Sequence, residues 1–291
     1  MISLNQLRTF IVVAQTGSVH EAADRLVVSQ PAVSSAIASL QRAVGAPVVQ
    51  REGRGLRLTA AGERLADYGR RVFSLLDEAL AEARAAGEVA AARVRLAVVT
   101  TAAEQLVPAL LGGFDQRSRG AAVDLHVANR TRVWDRLLHG EADLALGGRP
   151  PDERFVSRAV RPNALVIVAA EAARATSASL GTATWLVREP GSGTRATTDA
   201  LFEALAIEPP TVTINSNGAI LACVRAGLGV SLLSRGALAR DLQEGSIVEV
   251  VTRRTPLQRD WHLVGLRERA TTTGAALLIE HAISHGGFRA A

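Results

Sequence analysis

Eight residues in the middle of the chain, Arg188-Glu189-Pro190-Gly191-Ser192-Gly193-Thr194-Arg195, are of the types that hold an anion. They separate a strand pattern over 184–187 from a helix pattern over 195–205. Glycines let backbone N–H groups turn inward, Ser192 and Thr194 add hydroxyl donors, and Arg195 adds a fixed charge. The helix N-terminus that follows carries partial positive charge of its own. A purely structural turn is the competing reading. Two more polar clusters also follow strand patterns: Thr100-Thr101, and Asn129-Arg130-Thr131. In an open α/β sheet, ligands bind beyond the carboxyl ends of the strands. Thr100, Thr101, Asn129, Arg130, Ser192, Gly193, Thr194, Arg195 and Asn217 are therefore expected to line one cleft for a small anionic metabolite. Taken singly, Arg130 reads equally well as a solvated loop arginine.

Catalytic chemistry finds little to stand on. Gly191-x-Gly193-x-x-Ala196 resembles a relaxed dinucleotide fingerprint, but the next strand pattern ends in Asn215-Ser216-Asn217 instead of the acid that would hold a ribose. The six histidines, at 20, 126, 139, 262, 281 and 285, make no HExxH pair and no metal-ligand spacing. No GxSxG elbow is present. Cys223 is the only cysteine, which excludes an internal disulfide, and its apolar helical setting reads as a small core residue. No catalytic residue, no metal and no cofactor are expected.

A second kind of anion chemistry sits at the N-terminus. The net charge is +5, and all 33 basic residues are arginine. Genome composition alone can produce that bias; the placement tells more. Residues 1–71 hold nine arginines (8, 25, 42, 51, 54, 57, 64, 70, 71) against five acids (21, 24, 52, 63, 67), so 9 − 5 = +4, most of the chain's surplus. Such asymmetry points to a polyanionic partner.

The elements around those arginines fit. Ser3 and Gln6 form a capping box for a helix with Leu7, Phe10 and Val13 on one face, and Gly17 is placed to end it. Ser18 and Glu21 open a second, short helix. Ser29 caps a third, with Pro31 in its first turn and Val33, Ile37 and Leu40 inward. The outer face of the third helix carries Gln30, Ala32, Ser34, Ser35 and Ser39, small or polar groups without acids, which allow close approach to base edges and phosphates. An ordinary helical hairpin with a serine-rich face is the alternative. Two short strand patterns around a Gly-containing turn follow, offering Arg51, Arg54 and Arg57 to phosphates or a minor groove. This is the layout of a winged helix-turn-helix on double-stranded DNA.

Thr59 is expected to cap a long helix running to about Gly87, with Leu65, Tyr68, Val72, Leu75, Leu76, Ala79, Leu80 and Ala83 close to a heptad seam. A seam this narrow calls for a partner, most simply the same helix of a second copy; packing on its own domain is the alternative. Residues 85–93 read as a linker. Strand and helix patterns then alternate to the end, as in a parallel α/β sheet divided into two lobes. The expected domains are 1–58 (winged helix-turn-helix), 59–88 (linker and dimerisation helix) and 93–291 (effector domain). Lobe one is expected over about 93–160 plus 267–291, and lobe two over about 161–266. No apolar run approaches the roughly 18–20 residues of a membrane span, and the N-terminus does not read as a signal peptide. A cytoplasmic location is expected.

These residues make the chain similar to the LysR-type transcriptional regulators. The resemblance rests on Leu4-x-x-Leu7-x-x-Phe10, Gly17-Ser18, Ala22-Ala23-x-x-Leu26, Ser29-Gln30-Pro31-Ala32-Val33-Ser34, Ile37-x-x-Leu40 and Arg57-Leu58-Thr59-x-x-Gly62. Gly140-Glu141-x-Asp143-Leu144-Ala145-Leu146 and Ala226-Gly227-Leu228-Gly229-Val230 resemble the family's effector-domain landmarks. The resemblance implies a two-lobed effector domain of the periplasmic-binding-protein type, a dimer or dimer of dimers on a promoter operator, and contact with RNA polymerase. It also implies that Gln30, Pro31, Ser34, Ser35 and Arg54 face DNA. Asn129-Arg130 with Glu189-x-Gly191-Ser192-Gly193-Thr194-Arg195 is similar to the branch that includes Calvin-cycle regulators, some of which answer to phosphorylated metabolites. Ser35, and Val48-Val49-Gln50-Arg51 before the wing, depart from the family's usual residues. A solute-binding module without regulatory output, or a nucleotide-dependent enzyme, are the alternatives.

Overall fold

A computed structural model describes residues 2–53, 55–85, 93–114, 121–171 and 176–291. The chain divides into two compact units, 1–89 with 139–141, and 90–138 with 142–291.

The first unit opens with α1 (Leu4–Thr16), α2 (Val19–Leu26) and α3 (Gln30–Val44), each begun by a serine. Ser3 and Gln6 make the full reciprocal box, and Gly17 ends α1 in the left-handed conformation. Ser18 accepts the Glu21 N–H and Ser29 the Ala32 N–H. Each such cap contributes about 1 kcal/mol. Phe10, Val33, Leu40 and Val48 are completely buried where the three helices meet. The hairpin β1 (Val49–Glu52) and β2 (Gly55–Leu58) follows in antiparallel register.

The long helix is α4 (Ala60–Ala85), and Thr59 Oγ1 accepts the Gly62 N–H as its cap. Gly62 is required by close approach: a Cβ there would lie 1.9 Å from the Val48 carbonyl oxygen. Tyr68, Val72, Leu75, Leu76 and Leu80 are exposed along α4, the stripe that the heptad pattern predicts; the Ala83 side chain lies outside the described residues. The expected linker lies outside them too, apart from its two ends.

In the second unit, one sheet has the order β14-β6-β13-β5-β3-β4. Its strands are β3 (Arg93–Val99), β4 (Ala122–Ala128), β5 (Leu144–Gly147), β6 (Phe155–Arg161), β13 (Trp261–Leu266) and β14 (Arg289–Ala290). Against it lie α5 (Thr100–Gln105), α6 (Val107–Leu111), α7 (Arg130–Leu138) and α11 (Thr273–Ser284). Pro108 separates α5 from α6, because it has no N–H for the ladder.

The second lobe is built on β7 (Ala164–Ala170), which pairs with β10 (Ser231–Ser234), β11 (Ile247–Glu249) and β12 (Leu257–Gln258). Beside them, β8 (Trp185–Val187) runs parallel to β9 (Thr211–Thr213). The helices are α8 (Gly193–Leu205), α9 (Asn217–Arg225) and α10 (Ala239–Glu244).

Two sequence expectations change here. The sheets are mixed: β3 runs parallel to β4 and β5, whereas β13, β6, β7 and β10 are in antiparallel pairs. Only Pro162 and Asn163 separate β6 from β7, too short a link for a helical crossover. Strand β13 also belongs to the first lobe, paired to β5 and β6, so the chain returns before Trp261 and not after Leu266. The two crossings, at 162–163 and 259–260, form the hinge.

Candidate DNA-binding face and effector cleft

The outer face of α3 is laid down by its periodicity. With Val33, Ile37 and Leu40 buried, Gln30, Pro31, Ala32, Ser34 and Ser35 are exposed and Ser39 half-buried. Gln30 Nε2 lies 3.0 Å from His20 Nδ1, and Arg42 donates to Ser39 Oγ at 3.0 Å. In the wing, Arg51 is exposed, Arg57 sits 3.5 Å from Glu52, and Arg54 lies outside the described residues. Between α2 and α3, Val27 holds φ 55° and is 90% exposed. A β-branched residue in the left-handed region is strained by roughly 1–3 kcal/mol.

In the second unit a cavity opens between the lobes. Thr100, Thr101, Asn129, Arg130, Ser192, Gly193 and Thr194 all line it, drawn together from the ends of β3, β4 and β8. Asn129 caps α7 by accepting the Arg132 N–H at 3.1 Å. The Ser192 hydroxyl makes no cap bond to α8. The N-termini of α7 and α8 thus face the same space, a field that favours an anion.

Asn217 stands one bond behind the wall. Its Nδ2 donates to Thr101 Oγ1 (3.1 Å) and Glu104 Oε2 (3.0 Å), and its Oδ1 accepts from Arg188 (2.6 Å). Arg188, also in the lining, is buried and paired with Glu189 through two bonds of 2.7 and 3.0 Å. That charge is already matched.

Arg195 does not reach the cavity. Its Nε donates to Asp199 at 2.8 and 3.1 Å and its Nη1 to the Arg188 carbonyl. Residues four apart share one helix face, so α8 offers it a carboxylate one turn along. The charge that the sequence assigns to Arg195 comes instead from Arg259 in the return crossing. Its guanidinium is packed between Gly148 and Gly193: Cβ atoms built there would lie 3.0 and 2.4 Å from its Nη2. A side chain at either position would displace the guanidinium from where it lies.

Arg130 and Arg259 have no carboxylate in ion-pair distance among the described residues; Arg130 reaches the Arg149 carbonyl at 3.4 Å. Burial and the nearby Arg130 push the Arg259 pKa down to about 10, which still leaves it charged at neutral pH. Two like charges face one space without a counter-charge. The free volume is about 20 Å³, close to what a single water needs.

No signal in the sequence singles out Arg259, since Arg253, Arg254 and Arg267 stand in equally polar surroundings. The other lining residues not assigned to the cleft from sequence come from four places: Val99 ends β3, Gly148 follows β5, Arg188 follows β8 and Trp261 begins β13. The described residues contain no group of three or more potential metal ligands, and no described helix is long and apolar enough to cross a membrane.

Residues 4–63 match the bacterial regulatory helix-turn-helix protein model of the lysR family, and residues 87–287 match the LysR substrate binding domain. The chain is 35% identical over 266 residues to the HTH-type transcriptional regulator CbbR of Rhodospirillum rubrum, covering 90% of this chain and 89% of that protein. It is 32% identical over 291 residues to a RuBisCO operon transcriptional regulator of Allochromatium vinosum, covering 97% and 96%. Among solved structures, the CcmR regulatory domain of Synechocystis PCC6803 in complex with 2-PG is similar, with a TM-score of 0.61 and 28% identity. That match covers 66% of this chain and 96% of the other. These relatives are named as regulators, and neither the solute-binding module nor the enzyme finds support among them. The chain belongs to the LysR family of helix-turn-helix transcriptional regulators.

Proposed function

We propose that this regulator docks the outer face of α3 in a major groove and is controlled by a small phosphorylated metabolite held between Arg130 and Arg259. The single observation that carries the effector half is the pair of cleft arginines with no carboxylate partner among the described residues. Two unmatched guanidinium groups fit a dianion, and Thr100, Asn129, Ser192 and Thr194 supply neutral donors around it. The relative bound to 2-PG (2-phosphoglycolate) supports the same ligand class. On the DNA side, Gln30, Pro31, Ala32, Ser34, Ser35 and Ser39 make the groove-facing surface, with Arg51 and Arg54 on the backbone. Short side chains leave most of the affinity to phosphate contacts.

The apolar stripe on α4 supports a dimer, or a dimer of dimers, formed through that helix. The domains are taken as 1–58, 59–88 and 93–291. Contact with RNA polymerase and a cytoplasmic location follow from the regulatory role. Binding in a cavity this tight requires the lobes to move. A ligand that prefers one lobe angle then changes the spacing of the paired reading heads.

A thermal-shift titration with 2-phosphoglycolate on the wild type and on Arg259→Ala tests the reading. The wild type is expected to be stabilised and the variant not. Equal stabilisation of both would overturn the cleft assignment.

A further inference from the structure

A second, larger cavity lies against the hinge. It is an open hollow of about 370 Å³, lined by Arg161, Pro162 and Asn163 at one crossing and by Gln258 and Trp261, which flank the other. Leu106 of the first lobe and Arg235 of the second complete the wall. The two arginines differ. Arg235 is matched by Glu249 at 2.7 Å. Arg161 donates only to the Gly286 carbonyl, at 2.8 Å, and has no carboxylate in ion-pair distance among the described residues. The site therefore offers one unmatched positive charge beside an apolar floor of Leu106, Pro162 and the buried Trp261. Pockets of this size with a few convergent polar groups are the usual form of small-molecule sites.

We propose that this hinge cavity is a second ligand site, for a small organic monocarboxylate with an apolar body, coupled to the cleft. One charge and an apolar floor select a different ligand from the two charges of the cleft. The coupling has a physical route. Trp261 lines both cavities. Asn163 and Arg259 bind each other across the hinge, the Arg259 N–H to the Asn163 carbonyl at 2.8 Å and Asn163 Nδ2 to the Arg259 carbonyl at 3.1 Å. Ser234 Oγ lies within hydrogen-bond distance of both Asn163 Oδ1 (2.5 Å) and Gln105 Oε1 (2.8 Å), tying both lobes to the same crossing. A ligand against Pro162 and Trp261 thus bears on the segment that aims Arg259. By linkage, each ligand changes the other's affinity by the same factor. The coupling rests on the cleft reading above; the site does not.

The test is calorimetry on the full chain with phenylacetate and hexanoate, phenylacetamide as the uncharged control, and 2-phosphoglycolate for the cleft. The wild type should bind the acids, and the amide about tenfold more weakly or worse. Arg161→Gln should lose about tenfold or more for the acids while 2-phosphoglycolate alone stays within about twofold, and Arg259→Gln should do the reverse. Gly236→Leu, which narrows the mouth and leaves Arg161 in place, should weaken the acids if Arg161→Gln fails to fold. Saturating acid should shift the 2-phosphoglycolate Kd about fivefold or more. The site is overturned if neither acid binds the wild type at millimolar concentration, or if the amide binds as well as the acids. It is equally overturned if acid binding survives Arg161→Gln and is lost in Arg259→Gln. An unchanged 2-phosphoglycolate Kd overturns the coupling. Acid binding without any 2-phosphoglycolate binding leaves the hinge site standing and sinks the cleft reading.

Discussion

The winged helix-turn-helix and the cleft both present arginine, but under opposite physical conditions. On the reading head, Arg42, Arg51 and Arg57 are exposed, so water screens them and any stabilisation they give is shared with salt. In the cleft, Arg259 is half-buried beside Arg130, so its charge is repelled by a neighbour and poorly solvated. The first surface needs many weak contacts along a polymer. On the proposed reading, the second concentrates two strong ones on a single small ion. Exposure decides which kind of anion each can recognise.

The largest difference should appear on changing the salt. Raising it from about 50 to 200 mM should cut operator affinity by about 10³ or more if six or more phosphates are contacted. The affinity for 2-phosphoglycolate should fall far less, because its partners are partly shielded from the counterions. Parallel fluorescence titrations of both ligands over one salt series would check this. Equal slopes would erase the distinction.

Next in size is Arg259→Gln. Losing a charge-assisted contact should weaken 2-phosphoglycolate about 10- to 100-fold. The ligand-free protein should melt no lower than the wild type, and higher if the repulsion with Arg130 outweighs the lost packing. A melting curve without ligand decides that part. A clear drop would mean that Arg259 holds the hinge together instead of waiting for a ligand.

On the reading head, Val27→Asn should stabilise the first unit by about 1 kcal/mol, because Asn tolerates the left-handed conformation that Val27 adopts. Denaturant unfolding of the chain would show it as a higher midpoint at unchanged slope. A destabilised variant would indicate that the exposed Val27 side chain makes a contact that offsets its strain.

Arg195→Ala should have the smallest effect. Its guanidinium is spent on Asp199 and the Arg188 carbonyl, so 2-phosphoglycolate affinity should stay within about twofold. A loss comparable to that of Arg259→Gln, read in the same calorimetry, would return Arg195 to the ligand.

Local chemistry made much of this legible. The Ser3, Ser18 and Ser29 caps, the Gly17 stop and the buried faces of α1 and α3 depend on contacts three or four residues apart, and all stand in the sequence. Strand β6 has no legible pattern, because Ser157 and Arg158 are half-buried and break its apolar alternation. Most of the cleft residues were legible because they follow the carboxyl ends of β3, β4 and β8, which meet between the lobes although they belong to two sheets. Arg195 and Arg259 were not separable by type, since both are arginines beside polar turns.

By itself, then, the sequence determined the capped helices, the wing, the heptad stripe and the glycine and hydroxyl turns, since each is settled by neighbours a few residues away. Only the tertiary structure decided which arginines remain unmatched. A guanidinium's availability depends on whether a carboxylate lies within about 4 Å; that partner sits four residues along for Arg195, while among the described residues none lies there for Arg130 or Arg259. The return of the chain at Arg259-Asp260 brings one of those charges to the other. That is a property of how two lobes are threaded, which no local pattern encodes.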